Sequence, residues 1–357
     1  MAATKTIILT GGGTAGHVAP NLALVPYLQA DGYEIHYIGG KSGMEQQLAE
    51  AAGLQYDGIS SGKLRRYFSK KNFTDVFNIF KGVAEAFKLI KKIRPDVIFS
   101  KGGFVAVPVV VAGRLRGVPV VIHESDITCG LANKISQPFA SAVCCSFPDT
   151  VEYLKNKKAV YTGAPIRREL YGGDKDEGLR LCGFDTRKPV LLIVGGSSGS
   201  VKINAVVRDA LKELTAVYQV AHICGAGNVD GMLSDDGYAQ FEFIRDELPH
   251  VFAAADIVVS RAGANTVMEM LALNKPALYI PLPLSQSRGD QIKNAESVAR
   301  RGFARVLDEA DLNETTLLTE INNLYADKEK IINAMKDGGF VDGTRNIVNI
   351  IKQYTRG

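Results

Sequence analysis

A chain of 357 residues, 46% apolar and 22% charged with a net charge of +4, exceeds one ordinary hydrophobic core and fits a two-domain globular protein. Its 36 glycines imply several tight backbone turns, while the lack of any Gly/Ser or Pro tract excludes low complexity. No apolar run reaches the ~18 to 20 residues of a membrane span, and the apolar start is too short for a signal h-region, so the expected location is the cytoplasmic side of any membrane.

The first strand-like run, "TIILTG", leads into Gly11, Gly12, Gly13 and Gly16, with Gly11, Gly13 and Gly16 at G-x-G-x-x-G spacing. Such a turn at a helix start exposes backbone N–H groups to an anion. A dinucleotide dehydrogenase would close its next strand with an acidic residue, but "EIHYIGG" ends in glycines. No Gly-Lys-Ser/Thr follows any glycine turn, which argues against a Walker loop. His17, at the mouth of the first turn, suits either a general base near neutral pH or a residue that shapes the turn or contacts phosphate.

Lys63 to Arg94 hold ten Lys/Arg and two acids, a local charge of +8. Phe73, Val76, Phe77, Ile79, Phe80, Val83, Phe87 and Ile90 are interleaved with them. One reading is an amphipathic helix packed on a sheet with a basic outer face. The other is contact with an anionic bilayer, where each nearby cation contributes ~1 kcal/mol. Lys70, Lys71, Phe73, Phe77, Phe80 and Lys81 form the expected membrane patch. No extended basic track elsewhere suits nucleic acid.

"DVIFSKGG" supplies a second glycine turn at Gly102 and Gly103, and "VPVVIHES", "SAVCCSF" and "AVYTG" continue the strand series. The five cysteines (Cys129, Cys144, Cys145, Cys182, Cys224) are odd in number and form no C-x-x-C pair, which suits inert core thiols in a reducing compartment. The histidines show no metal-ligand spacing. A domain boundary fits "YTGAPIRREL", 161–170. Beyond it, "PVLLIVGGSSG" repeats the plan of "TIILTGGGTAG" about 183 residues later, followed by "YQVAHICG", "FEFI", "DIVVSRAG" and "KPALYIPL". Apolar strands separated by helices predict parallel sheets covered on both faces, hence two doubly wound α/β domains.

In the second half, "SRAGANTVMEML" begins a helix, and Glu269 lies about a turn and a half into it. Its carboxylate suits a ribose diol or, equally, a solvated helix face. Asp290 and Gln291 in "RGDQIKNA" suit sugar hydroxyls, and Arg167 suits a nucleotide phosphate or the open surface. No Asp-x-Asp pair of the kind that holds Mg²⁺ in nucleotide-sugar enzymes sits on a loop, apart from "DKD" at 174–176 in an acidic connection.

The motifs "GGTAGH", "KGGFV", "HESD", "LANK", "TGAPIR", "GGSSGS", "SRAGANTVME" and "RGDQIKNA", in this order, resemble the MurG family of undecaprenyl-diphospho-muramoylpentapeptide β-N-acetylglucosaminyltransferases across essentially the whole chain. "HESD" and "SRGDQ" are closer to the forms found in Gram-positive bacteria. The resemblance implies a GT-B fold of two Rossmann-like domains facing across a cleft. An acceptor domain spans 1–163, with the last helix, 342–357, packing back on it, and a donor domain spans 164–341.

The implied reaction moves GlcNAc from UDP-GlcNAc to the MurNAc 4-hydroxyl of lipid I, with inversion, to give lipid II in peptidoglycan synthesis. Donor contacts carried over are Thr14, Ala15, Gly16, Arg167, Gly196, Ser197, the Ile244 main chain, Ala264, Asn265, Thr266, Glu269, Asp290 and Gln291. Gly12, Gly13, Gly102, Gly103 and Asn133 fall to the acceptor, and the candidate bases are His17, then Asp126 and Glu124. The resemblance implies no cofactor or metal besides the co-substrate UDP-GlcNAc, a peripheral place at the cytoplasmic membrane surface, other cell-wall synthesis proteins as partners, and no nucleic acid.

The sequence departs from the family pattern at Ala15, where many relatives have glycine, at Asp126 and Ala164, where asparagine is usual, and at Cys129, where Gram-positive relatives have proline. Two rival functions share the architecture: a glycolipid synthase that transfers to diacylglycerol, and a UDP-GlcNAc 2-epimerase that needs no acceptor.

Overall fold

Apolar runs of a few residues become parallel strands here because helices cover both faces of each sheet. The computed structural model describes residues 5–62, 71–196, 199–338 and 342–356. The chain divides into two units, Met1–Arg167 with Val341–Gly357, and Arg168–Phe340. Arg167 thus packs with the first unit.

The first unit contains β1 (Lys5–Thr10), β2 (Tyr33–Gly40), β3 (Gln55–Ile59), β4 (Val97–Ser100), β5 (Val120–Glu124), β6 (Ala142–Cys145) and β7 (Ala159–Tyr161). They form one sheet in the order β3-β2-β1-β4-β5-β6-β7 with parallel pairing throughout. Successive residues point to opposite faces, and both faces are core. Ile7, Leu9, Tyr37, Val97 and Phe99 pack on one side, and Ile8, Ile38, Ile98, Val120 and Ile122 on the other. The helix Gly343–Tyr354 joins the first of these cores through Ile347, Val348 and Ile351. Its Thr344 hydroxyl accepts the Ile166 N–H at 3.0 Å, and Asn346 Nδ2 donates to the Thr162 carbonyl at 3.1 Å.

The second unit contains β8 (Val190–Val194), β9 (Gln219–Ile223), β10 (Tyr238–Phe241), β11 (Ile257–Ser260), β12 (Ala277–Tyr279) and β13 (Ala304–Val306). Their order is β10-β9-β8-β11-β12-β13, again all parallel. Strand order reverses between β1 and β4 in one unit and between β8 and β11 in the other. Ligands of doubly wound folds sit at such reversals, beyond the carboxyl ends of the strands.

The two reversals are built from the same parts. "DVIFSKGG" and "DIVVSRAG" occupy equivalent places. Asp96 Oδ2 accepts the Thr6 N–H at 2.8 Å, and Asp256 Oδ2 accepts the Val190 N–H at 2.9 Å. Each aspartate therefore ties the start of one central strand to its neighbour, and each motif then places a cation, Lys101 or Arg261, at the strand's end.

Some expectations are corrected. β3 and β13, both edge strands, were not foreseen. "FEFI" is strand only to Phe241, so Ile244 lies in the loop beyond, half-buried, rather than in a core strand. The cysteines, by contrast, meet the expectation of core thiols: all five are buried and free.

Candidate active site

The first turn is shaped by its glycines and by the start of the helix Ala15–Ala30. Gly13 has φ +87°, a conformation that favours glycine, and it is exposed. Thr14 stands at the N-cap with extended backbone, but its hydroxyl makes no cap bond to the helix. It meets Nδ1 of His17 instead, at 2.9 Å. Gly16 and Thr14 are exposed and His17 is half-buried. The side chain of Ala15 lies outside the described residues.

The turn after β4 stands against it. A Cβ on Gly103 would collide with the Gly12 carbonyl, and both Gly102 and Gly103 have positive φ. Lys101, 1% exposed, donates from Nζ to the Ser125 hydroxyl. Burial pushes its ammonium down to about 8, against the opposing pull of Glu124 and Asp126.

The loop after β5 is held by a carboxylate. Glu124 Oε1 accepts the Asp126 N–H at 3.1 Å, and Oε2 accepts the Gly130 N–H at 3.0 Å and Asn133 Nδ2 at 2.9 Å. Asn133 also donates to the His123 carbonyl at 3.0 Å. Glu124 and Asn133 are both buried. Glu124, the last of the candidate bases, and Asn133, one of the expected acceptor contacts, thus act as fasteners for 124–133, which leaves Asp126, half-buried, as the loop's other carboxylate. Glu124→Ala should lower stability by about 2–3 kcal/mol by stranding those donors, as read from urea unfolding. Unchanged stability with abolished turnover would return Glu124 to a catalytic role.

In the second unit, β8 runs into Gly195 and Gly196, the latter with φ +94°. Ser197 lies outside the described residues. A Cβ on Gly199 would collide with the Cys224 carbonyl. Ser200 caps the helix Val201–Asp209 through the Ile203 N–H and accepts Arg261 Nη2 at 2.7 Å. Arg261 also donates to the Ile280 carbonyl at 3.0 Å and pairs with the buried Glu309.

The helix Ala264–Ala272 buries Ala264, Val267, Met268, Met270 and Leu271. Asn265, Thr266 and Glu269 are half-buried on its other face, at i, i+1 and i+4. Gln291, in the first turn of Asp290–Arg300, accepts the Leu282 N–H at 3.1 Å, and Asn294 of that helix donates to the Ala262 carbonyl at 3.2 Å. Asp290 stands beside Arg288, at 3.7 Å. The carboxyl edge of this sheet therefore gathers Gly195, Gly196, Glu269, Asp290 and Gln291. Thr14, Ala15, Gly16 and Arg167 belong to the first unit.

Comparison with known proteins fits this architecture. The Glycosyltransferase family 28 N-terminal domain matches residues 7–145, and the Glycosyltransferase family 28 C-terminal domain matches residues 190–350. A protein of Clostridium tetani (strain Massachusetts / E88), described as UDP-N-acetylglucosamine--N-acetylmuramyl-(pentapeptide) pyrophosphoryl-undecaprenol N-acetylglucosamine transferase, is 52% identical over 351 residues, 98% of each chain. A protein of the same description from Clostridium botulinum (strain 657 / Type Ba4) is 53% identical over 353 residues, 99% of this chain and all of its own. The crystal structure of Acinetobacter baumannii MurG superposes with a TM-score of 0.76 at 25% identity, covering 98% of this chain and 99% of that one.

The chain belongs to the MurG family. Its two Rossmann-like units are those of a GT-B glycosyltransferase. The kitacinnamycin glycosyltransferase, at 16% identity and a TM-score of 0.76 over 99% of both chains, shares the fold.

Read as a MurG-family sequence, the chain still concealed three residues: Glu45, Lys101 and Arg261. Charged side chains are rarely buried, so each reads as surface in a linear sequence. For the two cations, the pairing of "DVIFSKGG" with "DIVVSRAG" was the available signal. For Glu45 it was the run of glycines in "YIGGKSGME".

Proposed function

We propose that this chain transfers GlcNAc from UDP-GlcNAc to the MurNAc 4-hydroxyl of lipid I, with inversion, to form lipid II. The observation that carries the reading is full-length identity above 50% to the clostridial transferases, with a glycine turn at each strand-order reversal. A base takes the proton of the 4-hydroxyl while that oxygen attacks the anomeric carbon from the face opposite UDP. His17 is the first candidate: with its proton on Nδ1, donated to the Thr14 hydroxyl, the basic lone pair lies on Nε2.

Charge gathers on the departing diphosphate, where Gly195, Gly196 and the start of the helix Val201–Asp209 offer amide donors. Glu269 suits the ribose, and Asp290 and Gln291 suit the sugar. Arg167 is carried as a phosphate contact by family resemblance. The amides and the Arg167 guanidinium supply the charge compensation, and the reading invokes no cofactor.

The deciding experiment supplies radiolabelled UDP-GlcNAc and a lipid I analogue, with acceptor-free and diacylglycerol controls. A labelled disaccharide lipid is expected. Product with diacylglycerol alone would favour the glycolipid synthase, and conversion of UDP-GlcNAc without acceptor the epimerase.

The reading also places the protein at an anionic membrane surface on the cytoplasmic side. The helix Lys71–Ile93 packs on the core through Ala86 and Ile90, with Val83 and Phe87 alongside. Phe77 and Phe80 instead stand 70% and 71% exposed, next to exposed Lys81. Lys70 and the side chains of Lys71 and Phe73 lie outside the described residues. Among those described, no helix is long and apolar enough to cross a membrane. Replacing Phe77 and Phe80 by serine should weaken sedimentation with phosphatidylglycerol vesicles about tenfold or more, since each buried phenylalanine contributes ~1.5–3 kcal/mol. Unchanged sedimentation would remove this patch from the membrane contact.

A further inference from the structure

Glu45, at the start of the helix Met44–Ala51, is 5% exposed and points into the sheet edge rather than into water. Oε2 accepts the Gly13 N–H at 3.4 Å and Oε1 accepts the Gly40 N–H at 3.3 Å. Among the described residues, these two amides are its hydrogen-bond partners. The side chain threads between glycines of three segments. A Cβ on Gly12 would stand 2.8 Å from Glu45 Cδ, one on Gly39 3.0 Å from Cγ, one on Gly40 3.0 Å from Oε1, and one on Gly43 2.7 Å from Oε2. Two tyrosines close the niche. Tyr37 donates to the Gly11 carbonyl at 2.7 Å, and Tyr56 to the Gly40 carbonyl at 2.5 Å.

A glycine turn at a strand-order reversal ordinarily offers its amides to a ligand's anion. Here the Gly13 amide is turned inward and already serves a carboxylate of the chain itself. The next residue is Thr14, whose hydroxyl meets His17. We infer that Glu45 is a positioning residue for the transfer reaction: its carboxylate fills the amide niche between the first turn and the end of β2, and so fixes the Gly13–Thr14 backbone that orients His17. It also assigns Gly13 a structural rather than a ligand-binding amide. The inference rests on the reading of the chain as a GlcNAc transferase that works at this turn.

The test compares wild type, Glu45→Gln and Glu45→Ala in the lipid I analogue assay, with melting temperatures and amide hydrogen exchange of peptides containing Gly13 and Gly40. Glu45→Gln keeps the volume but sets an NH₂ group against one of the amides. Both variants should lower kcat about tenfold to a hundredfold, the range expected for a reacting group misplaced by about 1 Å, with the donor KM within about twofold. Exchange at both peptides should accelerate. Sodium formate should restore part of the turnover of Glu45→Ala, by refilling the niche, and none in Glu45→Gln.

Wild-type kcat in both variants with unchanged exchange would overturn the inference. So would equal losses for donor and acceptor, or a folded Glu45→Ala that formate does not rescue. If Glu45→Ala does not fold, Glu45→Gln decides alone, and a Glu45→Gln that also fails to fold makes the carboxylate a core element and sinks the inference. Absence of disaccharide from the wild type would instead strike the function. Slow exchange in both variants would then still reject the niche.

Discussion

His17→Ala should lower kcat by ~10²-fold or more, the span typical of a lost general base, while leaving the donor KM near its wild-type value. The expectation comes from a broken local rule. Threonine at an N-cap ordinarily accepts a backbone N–H of the first helical turn. Thr14 has the extended backbone of a cap, but its hydroxyl serves the His17 ring at 2.9 Å. A cap hydroxyl turned instead to a neighbouring side chain is the kind of local departure expected at a functional site.

The positive end of the Ala15–Ala30 helix also disfavours imidazolium, which keeps the ring available to accept a proton. Thr14→Val, which removes the partner of Nδ1, should fall between wild type and His17→Ala. The measurement is steady-state transfer of labelled GlcNAc with saturating acceptor. Near-normal turnover of His17→Ala would move the base to Asp126.

Which features could be read from the sequence follows from where burial agrees with residue type. β1 and β8 are apolar runs that end in glycine, and their hydropathy and turn chemistry point the same way. β3, "QYDGI", carries Asp57 and Gly58, and of its residues only Ile59 is fully buried. An edge strand with one neighbour leaves little periodic signal, and the three residues of β13 leave less. In the basic segment, the apolar stripe was visible but its division was not. Ala86 and Ile90 face the core, whereas Phe77 and Phe80 do not. That split depends on where the helix leaves the sheet, which spacing along one helix does not encode.

At the site, the residue types suited to chemistry were legible and their assignments were not. Glu124 and Asn133 look like a candidate base and an acceptor contact, but their polar atoms are directed at the loop that carries Asp126. Conversely, Lys101 and Arg261 look like surface charges but lie beneath the two strand-order reversals. A cation there is unusual in an interior, and each is held in place by polar groups of the adjoining loops. Burying them on the strands that flank the reversals sets positive charge under loops that offer amides to anions, which adds to the field of the helix starts.

That arrangement makes Arg261 consequential for the stability of the second unit. Arg261→Met should cost about 3–5 kcal/mol, because it leaves Glu309 buried without its counter-charge. The two side chains are only 10% and 7% exposed, so water cannot substitute for the partner. The same change removes the donors to Ser200, Ile280 and Pro281, and with them the tie between β11, the helix cap after β8 and the end of β12. UDP affinity should fall along with stability.

Arg261→Met combined with Glu309→Leu should recover most of the loss in stability, since two apolar side chains of similar volume can replace a buried pair at little cost. It should not recover UDP binding, because the tie to Ser200 is still missing. Calorimetric unfolding with and without UDP separates the two effects. A single variant within about 1 kcal/mol of wild type would show that the pair is solvated and carries no structural charge. A double variant that regains UDP affinity would show that the Arg261–Ser200 bond plays no part in forming the donor turn.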